Sequence, residues 1–220
     1  MIQPDKIIRS NRKTLAISID RFGRLIVRAP KKYSEERIFA FIKQKESWII
    51  RKQAEIKQAG MRLPSDNLHG YEFLLLGKQT KVFLYEEEGI RYDSEKNYIF
   101  LPEKNAKERL TAWLKENALR IFTTVTAQKA AQMVVGYKKV EVSAMRSRWG
   151  CCTPDSTIRY SFRLLYCPKD VIEYVVVHEL SHIRQHGHTK AFWQEVERYM
   201  PDWKPRRRWL KTHGSLMEIF

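Results

Sequence analysis

Apolar and polar residues alternate along the first part of the chain in the manner of β-strands. In LAISIDRFGRLIVRA, apolar residues at every second position predict two strands joined by a turn from Asp20 to Gly23. Ser34, followed by two glutamates, predicts the start of a helix with an apolar stripe that includes Ile38 and Ile42. A second helix is predicted around residues 48–56, ending near Gly60.

The next strands are predicted at residues 73–76, 81–85 and 98–101, and we expect them to extend the first sheet. A long helical pattern follows, with apolar residues at Leu110, Leu114, Ile121 and Val125. We therefore place a domain boundary near Pro102, with a β-rich N-terminal region of two helices over residues 1–102 and a second domain over residues 103–220.

In the second domain, strands are predicted around Val140 and Val142 and from Ile158 to Phe162. The segment RSRWGCCTPDST between them is predicted to be a loop. Pro168 opens a helix with Asp170 in its first turn. This mixture of separate strands and helices predicts an α+β fold.

Composition and charge limit the class of protein. Of the 220 residues, 43% are hydrophobic and 12% aromatic, which predicts a globular fold. The N-terminus shows no apolar signal region and no apolar run is long enough to cross a bilayer, so we expect a soluble, cytoplasmic protein without membrane association. The three cysteines, an odd number, are typical of a reducing compartment.

The formal net charge of +16 predicts attraction to polyanions. The segment KPRRRWLK, from Lys204 to Lys211, concentrates basic residues, and Trp203 and Trp209 are placed to stack on bases. Nucleic acid is therefore a candidate partner, and a solvated basic helix is the simpler interpretation of the same segment.

The segment HELSH carries the clearest chemical signal. His178 and His182 are four residues apart, so both imidazoles lie on one face of a helix and can reach one ion. Glu179 can approach a water at that ion without ligating it, which is the general-base arrangement of a zinc peptidase. We expect Zn²⁺ as the cofactor and a peptide or protein as the substrate.

A catalytic zinc site needs a third protein ligand. His188 follows His182 at the interval found in the metzincin motif, which favours it over His186, although the metzincin glycine position holds Gln185. A thiolate from Cys151 or Cys152 is the alternative, and would give the Cys-His-His site of a peptide deformylase.

Other residues near the motif have candidate roles. Arg146 or Arg148 is a candidate to stabilise an oxyanion or hold a substrate carboxylate, and Glu195 is a candidate partner for a ligand imidazole. An extended substrate is expected to add to an edge strand, either residues 140–145 or 157–162. Phe192, Val196 and Met200 have the spacing of a buried helix face.

The chain resembles the YgjP-like zinc metallopeptidases, a family described as metal-dependent hydrolases and similar in its core to SprT-like and minimal gluzincin domains. The resemblance covers essentially the whole chain, and its specific motifs lie between residues 146 and 210. They are His178-Glu179-Leu180, His182 and His188, Phe192-Trp193, the upstream Arg148-Trp149-Gly150 and Cys152, and the downstream Pro201 and Arg208-Trp209-Leu210. The resemblance implies a zincin-like domain over residues 103–220, His178, His182 and His188 as metal ligands, and Glu179 as catalytic base.

The resulting hypothesis is a zinc-dependent hydrolase, in the first place a metallopeptidase that cleaves amide bonds. Two alternatives remain at this point. One is a basic nucleic-acid-binding protein with a structural or vestigial metal site, and the other is a metal-dependent amidohydrolase whose substrate is not a peptide.

Overall fold

The computed structural model describes residues 2–19, 23–58 and 68–218. The chain divides into two compact units, Met1–Arg62 and Leu63–Phe220. The boundary expected near Pro102 lies inside the second unit. The division into domains at residues 1–102 and 103–220 stays a prediction.

The first unit combines a three-stranded sheet with two helices. Its elements are β1 (Lys6–Ser10), β2 (Ala16–Ile19), β3 (Leu25–Pro30), α1 (Glu35–Gln44) and α2 (Glu46–Gln58). Strand β3 is central, parallel to β1 and antiparallel to β2. Its buried side chains pack against the helices and form the core of this unit, which comprises Leu25, Val27, Ala29, Ile38, Ile42 and Ile49.

The sequence predicts the local features of this unit correctly. The hairpin is confirmed because β2 pairs with β3 and brings Ile19 opposite Leu25. The helix start is confirmed because the Ser34 hydroxyl accepts the Arg37 backbone N–H at 3.4 Å. Residues 20–22 of the predicted turn, and the predicted helix end at Gly60, lie outside the described residues.

The second unit begins with a sheet in the order β4-β5-β7-β6. Its strands are β4 (Glu72–Leu75), β5 (Lys78–Tyr85), β6 (Arg91–Asp93) and β7 (Tyr98–Pro102). The three predicted strands are confirmed, but the expectation that they extend the first sheet is wrong, because they pair with one another and with the short strand β6. Alternation identifies a strand but does not identify its pairing partner.

The turn between β4 and β5 contacts the element that carries the candidate site. Gly77 has a positive φ of 77°, and a Cβ there would lie 2.9 Å from the Cα of Pro168. The neighbouring Leu76 N–H donates to the carbonyl of Leu165 at 2.7 Å. Only glycine permits both this turn and this close approach. The hairpin therefore supports the start of the helix that follows Pro168.

The remaining elements include one long helix, α3 (Ala106–Met133). The others are β8 (Lys139–Ser143), β9 (Gly150–Cys152), β10 (Thr157–Ser161), α4 (Lys169–Ser181), α5 (Lys190–Tyr199) and α6 (Trp203–Thr212), with 3₁₀ helices at Phe162–Tyr166 and Gly214–Glu218. The third sheet has the order β8-β10-β9, with β10 parallel to β8 and antiparallel to β9. The segment predicted to be a loop thus contains strand β9.

Helix α3 buries one face against this sheet and against α4. Leu110, Leu114 and Phe122 are fully buried, and the Thr126 hydroxyl bonds the Tyr160 hydroxyl at 3.0 Å in the interior. The six α-helices and three small sheets within residues 2–19, 23–58 and 68–218 confirm the α+β class. Among the described residues, every helix is too short or too polar to cross a membrane.

Candidate metal centre

Helix α4 places the HELSH motif at its C-terminal end, inside the second unit. Asp170 lies in the first turn, where its charge complements the helix dipole. The helix packs against α3, β9, α5 and α6, so most of its surface is buried. The regular helix ends at Ser181 and His182 is its C-cap. The chain therefore reaches the surface at the end of the motif, where it turns towards α5.

The structure brings His178, His182 and His188 together. One ring nitrogen from each lies within 4.8 Å of the others, and the Nε2 atoms of His178 and His188 are 3.0 Å apart. His178 and His182 are half-buried and His188 is exposed. Three imidazole nitrogens converging on one point form a donor set that zinc accepts, with Zn–N distances of about 2.0–2.1 Å.

The surroundings of the imidazoles are consistent with metal binding. The Nδ1 atom of His182 lies 3.0 Å from the carbonyl oxygen of Gln185, so the hydrogen bond orients the ring and leaves Nε2 available. Burial, with the nearby His182, His188 and Arg207, lowers the pKa of His178 to about 3. The His178 ring is therefore neutral near pH 7 and offers a lone pair.

Glu179 lies beside this cluster and is only 6% exposed. Its carboxylate packs against Gly150, where a Cβ would lie 2.9 Å from the glutamate Cγ and 3.0 Å from Oε1. Burial raises the pKa of Glu179 to about 8, and the backbone N–H of Cys152 and the charge of Arg148 act against that rise. The Cys152 N–H and the contact with Gly150 thus fix this side chain against the backbone of β9.

Strand β9 forms an edge of its sheet, and its residues line a cavity of about 610 Å³ next to the histidines. Of the two segments expected to receive a substrate strand, residues 157–162 are excluded because β10 is central. Residues 140–145 include the opposite edge strand β8, which does not line the cavity. The edge that lines the cavity belongs to β9, the short strand within the segment that was predicted to be a loop.

The two adjacent cysteines also line the cavity. Both are half-buried free thiols, and burial raises the pKa of Cys152 to about 11. Within the part of the chain that the structure describes, the cluster of potential metal-ligating atoms contains the three histidines and neither cysteine. His186 lines the cavity but is also outside this cluster.

The other expected residues lie around the cluster. Phe192, Val196 and Met200 are buried, as their spacing predicts, and the Phe192 ring stacks on His182 at 4.5 Å between ring centres. Glu195 pairs with Arg184 and Arg198, and none of the contacts among residues 2–19, 23–58 and 68–218 joins it to an imidazole.

The two candidate arginines differ in position. Arg148 lines the cavity, whereas Arg146 is not among the residues that line it. Sequence reasoning missed the roles of Gly150 and of the Cys152 backbone. Both residues belong to the motifs that carry the family resemblance, but those motifs do not indicate a contact with Glu179.

Comparison with solved structures finds distant similarity to two archaeal metallopeptidase zymogens. Abylysin from Pyrococcus abyssi is 18% identical over 41% of this chain and 92% of its own, with a TM-score of 0.38. Jannalysin from Methanocaldococcus jannaschii is 17% identical over 43% of this chain and 96% of its own, also with a TM-score of 0.38. No curated protein sequence matches the chain significantly.

The family comparison covers nearly the whole molecule. The YgjP-like metallopeptidase domain matches residues 13–213, a range that includes β9, the three histidines and α6. A match over this length confirms the resemblance inferred from the motifs and indicates a metal-dependent peptidase. The chain belongs to the YgjP-like metallopeptidase family.

Proposed function

We propose that this protein is a zinc-dependent peptidase in which His178, His182 and His188 bind the metal and Glu179 is the general base. The observation that carries the proposal is the convergence of three imidazole nitrogens within 4.8 Å of one another, beside a buried carboxylate that takes no part in the cluster. This separates the ligands from the base, as hydrolysis at a metal requires.

A zinc ion held by His178, His182 and His188 would supply a Lewis acid that lowers the pKa of a water molecule and polarises the carbonyl of an amide. A bound cation would favour the ionised form of Glu179, which would accept the proton of the attacking water at a carboxylate oxygen and return it to the leaving amine nitrogen. Burial against Gly150 and the hydrogen bond from the Cys152 N–H keep this carboxylate in one orientation. The base therefore needs little rearrangement when substrate arrives.

The edge of β9 is the proposed binding site for the substrate backbone. Its outer edge borders the cavity that contains His178 and Glu179, so an extended peptide added there lies along the metal site. Arg148 lines the same cavity and its charge acts on Glu179. We assign Arg148 to stabilise the negative charge that develops on the carbonyl oxygen.

The choice of zinc rests on the three-imidazole donor set. A cytoplasmic location is part of the proposal, and it is supported by three cysteines that are all free. The expected substrates are peptides or proteins, in keeping with the family.

The first test compares the metal content of the wild type with that of a double cysteine variant. We expect one zinc per chain in the wild type and in Cys151→Ser/Cys152→Ser, measured by plasma mass spectrometry after zinc reconstitution. Loss of zinc in the double cysteine variant would instead indicate a site of the deformylase type.

The second test concerns the base. Glu179→Gln is expected to retain zinc and to lose about 1000-fold in the rate of peptide hydrolysis, the scale of a missing general base. A peptide mixture digested by both proteins and analysed by mass spectrometry provides the comparison. Equal cleavage by the two proteins would refute the role of Glu179.

A further inference from the structure

A cluster of two tryptophans and one arginine, Trp193, Trp203 and Arg207, lies beside the three histidines. The Trp193 ring is stacked with the His188 ring at 5.8 Å between centres, and with the Trp203 ring at 4.3 Å. Trp203 is only 8% exposed. The aromatic contact is therefore continuous from a proposed metal ligand to helix α6.

The guanidinium of Arg207 is held against these rings. Its central carbon lies 4.7 Å from the centre of the Trp193 ring and 5.8 Å from that of the Trp203 ring. Trp203 and Arg207 are one turn apart on α6, so the helix itself sets this geometry. Cation–π contacts of this kind position a guanidinium without using its N–H donors.

The neighbouring Arg206 shows what is unusual about Arg207. Arg206 pairs with Asp170 at 3.4 Å and also with Asp202. Over residues 2–19, 23–58 and 68–218, no carboxylate forms an ion pair with Arg207. The side chain is exposed, so its charge and its donors are available to a ligand.

Arg207 is also close to the cavity. Its positive charge helps to lower the pKa of His178. It also opposes the effect of burial on Tyr174, which raises the pKa of that phenol to about 12. Tyr174 and Leu210 line the cavity, and Leu210 lies one turn after Arg207 on α6. The guanidinium therefore stands at the edge of the proposed active site, on the side of α6.

We propose that Arg207 determines substrate specificity by binding a carboxylate of the peptide, which is either an acidic side chain or the free C-terminus. This inference rests on the proposed peptidase function. A planar guanidinium with free N–H groups binds a carboxylate in a bidentate manner. The tryptophans fix its position, so the carboxylate must lie at a set distance from the scissile bond.

The test uses binding to the full-length, zinc-reconstituted Glu179→Gln protein, which does not consume its ligands. The probes are an acetylated, amidated alanine tetrapeptide with glutamate or glutamine at its third position, and acetyl-tetraalanine with a free or an amidated C-terminus. Quenching of tryptophan fluorescence measures affinity. The glutamate pair tests a side-chain carboxylate and the tetraalanine pair tests a terminal one.

We expect at least one carboxylate peptide to bind about fivefold more tightly than its neutral partner, the scale of an exposed charged contact. Arg207→Gln should abolish that difference, and Arg208→Gln, which removes the same charge from the next position, should preserve it. Arg207→Lys should restore part of the affinity.

Equal or absent binding of charged and neutral peptides would overturn the proposal, as would an equal loss in Arg208→Gln, which would indicate a general effect of the basic surface. These outcomes are independent of the peptidase function, because hydrolysis by the wild-type protein is measured separately. Cleavage without a carboxylate preference would refute the role of Arg207 and leave the proposed function intact.

Discussion

The two sides of the candidate site are built by different means. On the buried side, Glu179 lies on α4 against β9, and its carboxylate is fixed by Gly150 and by the Cys152 N–H. On the exposed side, residues 182–188 leave the helix as a short connection, and His186 and His188 are exposed. Packing therefore determines the position of the proposed base, whereas the position of the proposed third ligand depends on a surface segment.

This difference indicates how each side should tolerate change. A buried group that is fixed by backbone contacts has no room to adjust, so small additions are costly there. An exposed segment adjusts readily, so only the loss of a metal-binding group should matter. The variants below compare the two sides directly.

Among the variants that compare the two sides, the largest loss of kcat is expected from a single added methyl group on the buried side. In Gly150→Ala the new Cβ would lie 2.9 Å from the Glu179 Cγ, so the carboxylate must move. We expect zinc content to be retained and kcat to fall about 100-fold, as for a misplaced catalytic group.

Gly187→Ala is the matched control on the exposed side. Its Cβ would meet only Thr189, at 3.8 Å. We expect its kcat to remain within about twofold of the wild type, since surface substitutions have small effects. Similar losses in both alanine variants would contradict the distinction between the two sides.

Thiol reactivity tests burial on the β9 side. Burial, followed by the charge of Glu179, raises the pKa of Cys152 from 9.0 to about 11. The thiol is thus protonated at pH 8, and the reactive thiolate fraction is about 100-fold below that of an unperturbed cysteine. In Cys151→Ser, alkylation of Cys152 should accelerate about tenfold per pH unit up to pH 11.

Cys167 and the unfolded chain provide the references for that measurement. Cys167 is fully buried and should stay unmodified in the folded protein. In urea both remaining thiols of Cys151→Ser should react at the rate of a free cysteine. Fast alkylation of folded Cys152 at pH 7 would show that β9 is more open than the structure indicates.

The sequence was sufficient to predict the elements whose signal is local. The helix starts at Pro168 and at Ser34 depend only on neighbouring residues, and both predicted helices are confirmed. Aromatic and branched residues identified β5 and β7, and alternation identified β10, whereas β1, which also has five residues, was not predicted.

The features that escaped prediction depend on contacts between distant parts of the chain. Strand β9 has three residues, too few to show alternation, and it exists because it pairs with β10. The approach of Gly150 to Glu179 and the stacking of Trp193 on Trp203 join segments that only the tertiary fold brings together. The pairing of β4 to β7 with one another was mispredicted for the same reason.

The exposed side should respond to loss of its proposed ligand. His188→Ala removes one of the three converging nitrogens. We expect zinc affinity to fall at least about tenfold, because loss of even an indirect partner of a metal has effects of that size. The melting temperature of the metal-free protein should stay unchanged, because His188 is exposed. Unchanged zinc affinity would exclude His188 as a ligand.

The smallest effect on zinc affinity is expected for His186→Ala, two residues before His188. This variant is the control for His188→Ala. His186 is exposed and lines the same cavity, but its ring nitrogens are not part of the converging set. His186→Ala should therefore leave zinc affinity within about twofold of the wild type, as for other surface changes. Competition with a chromophoric chelator measures both variants under the same conditions. If His186→Ala released zinc and His188→Ala did not, the exposed segment would have to rearrange on metal binding, and the third ligand would be His186.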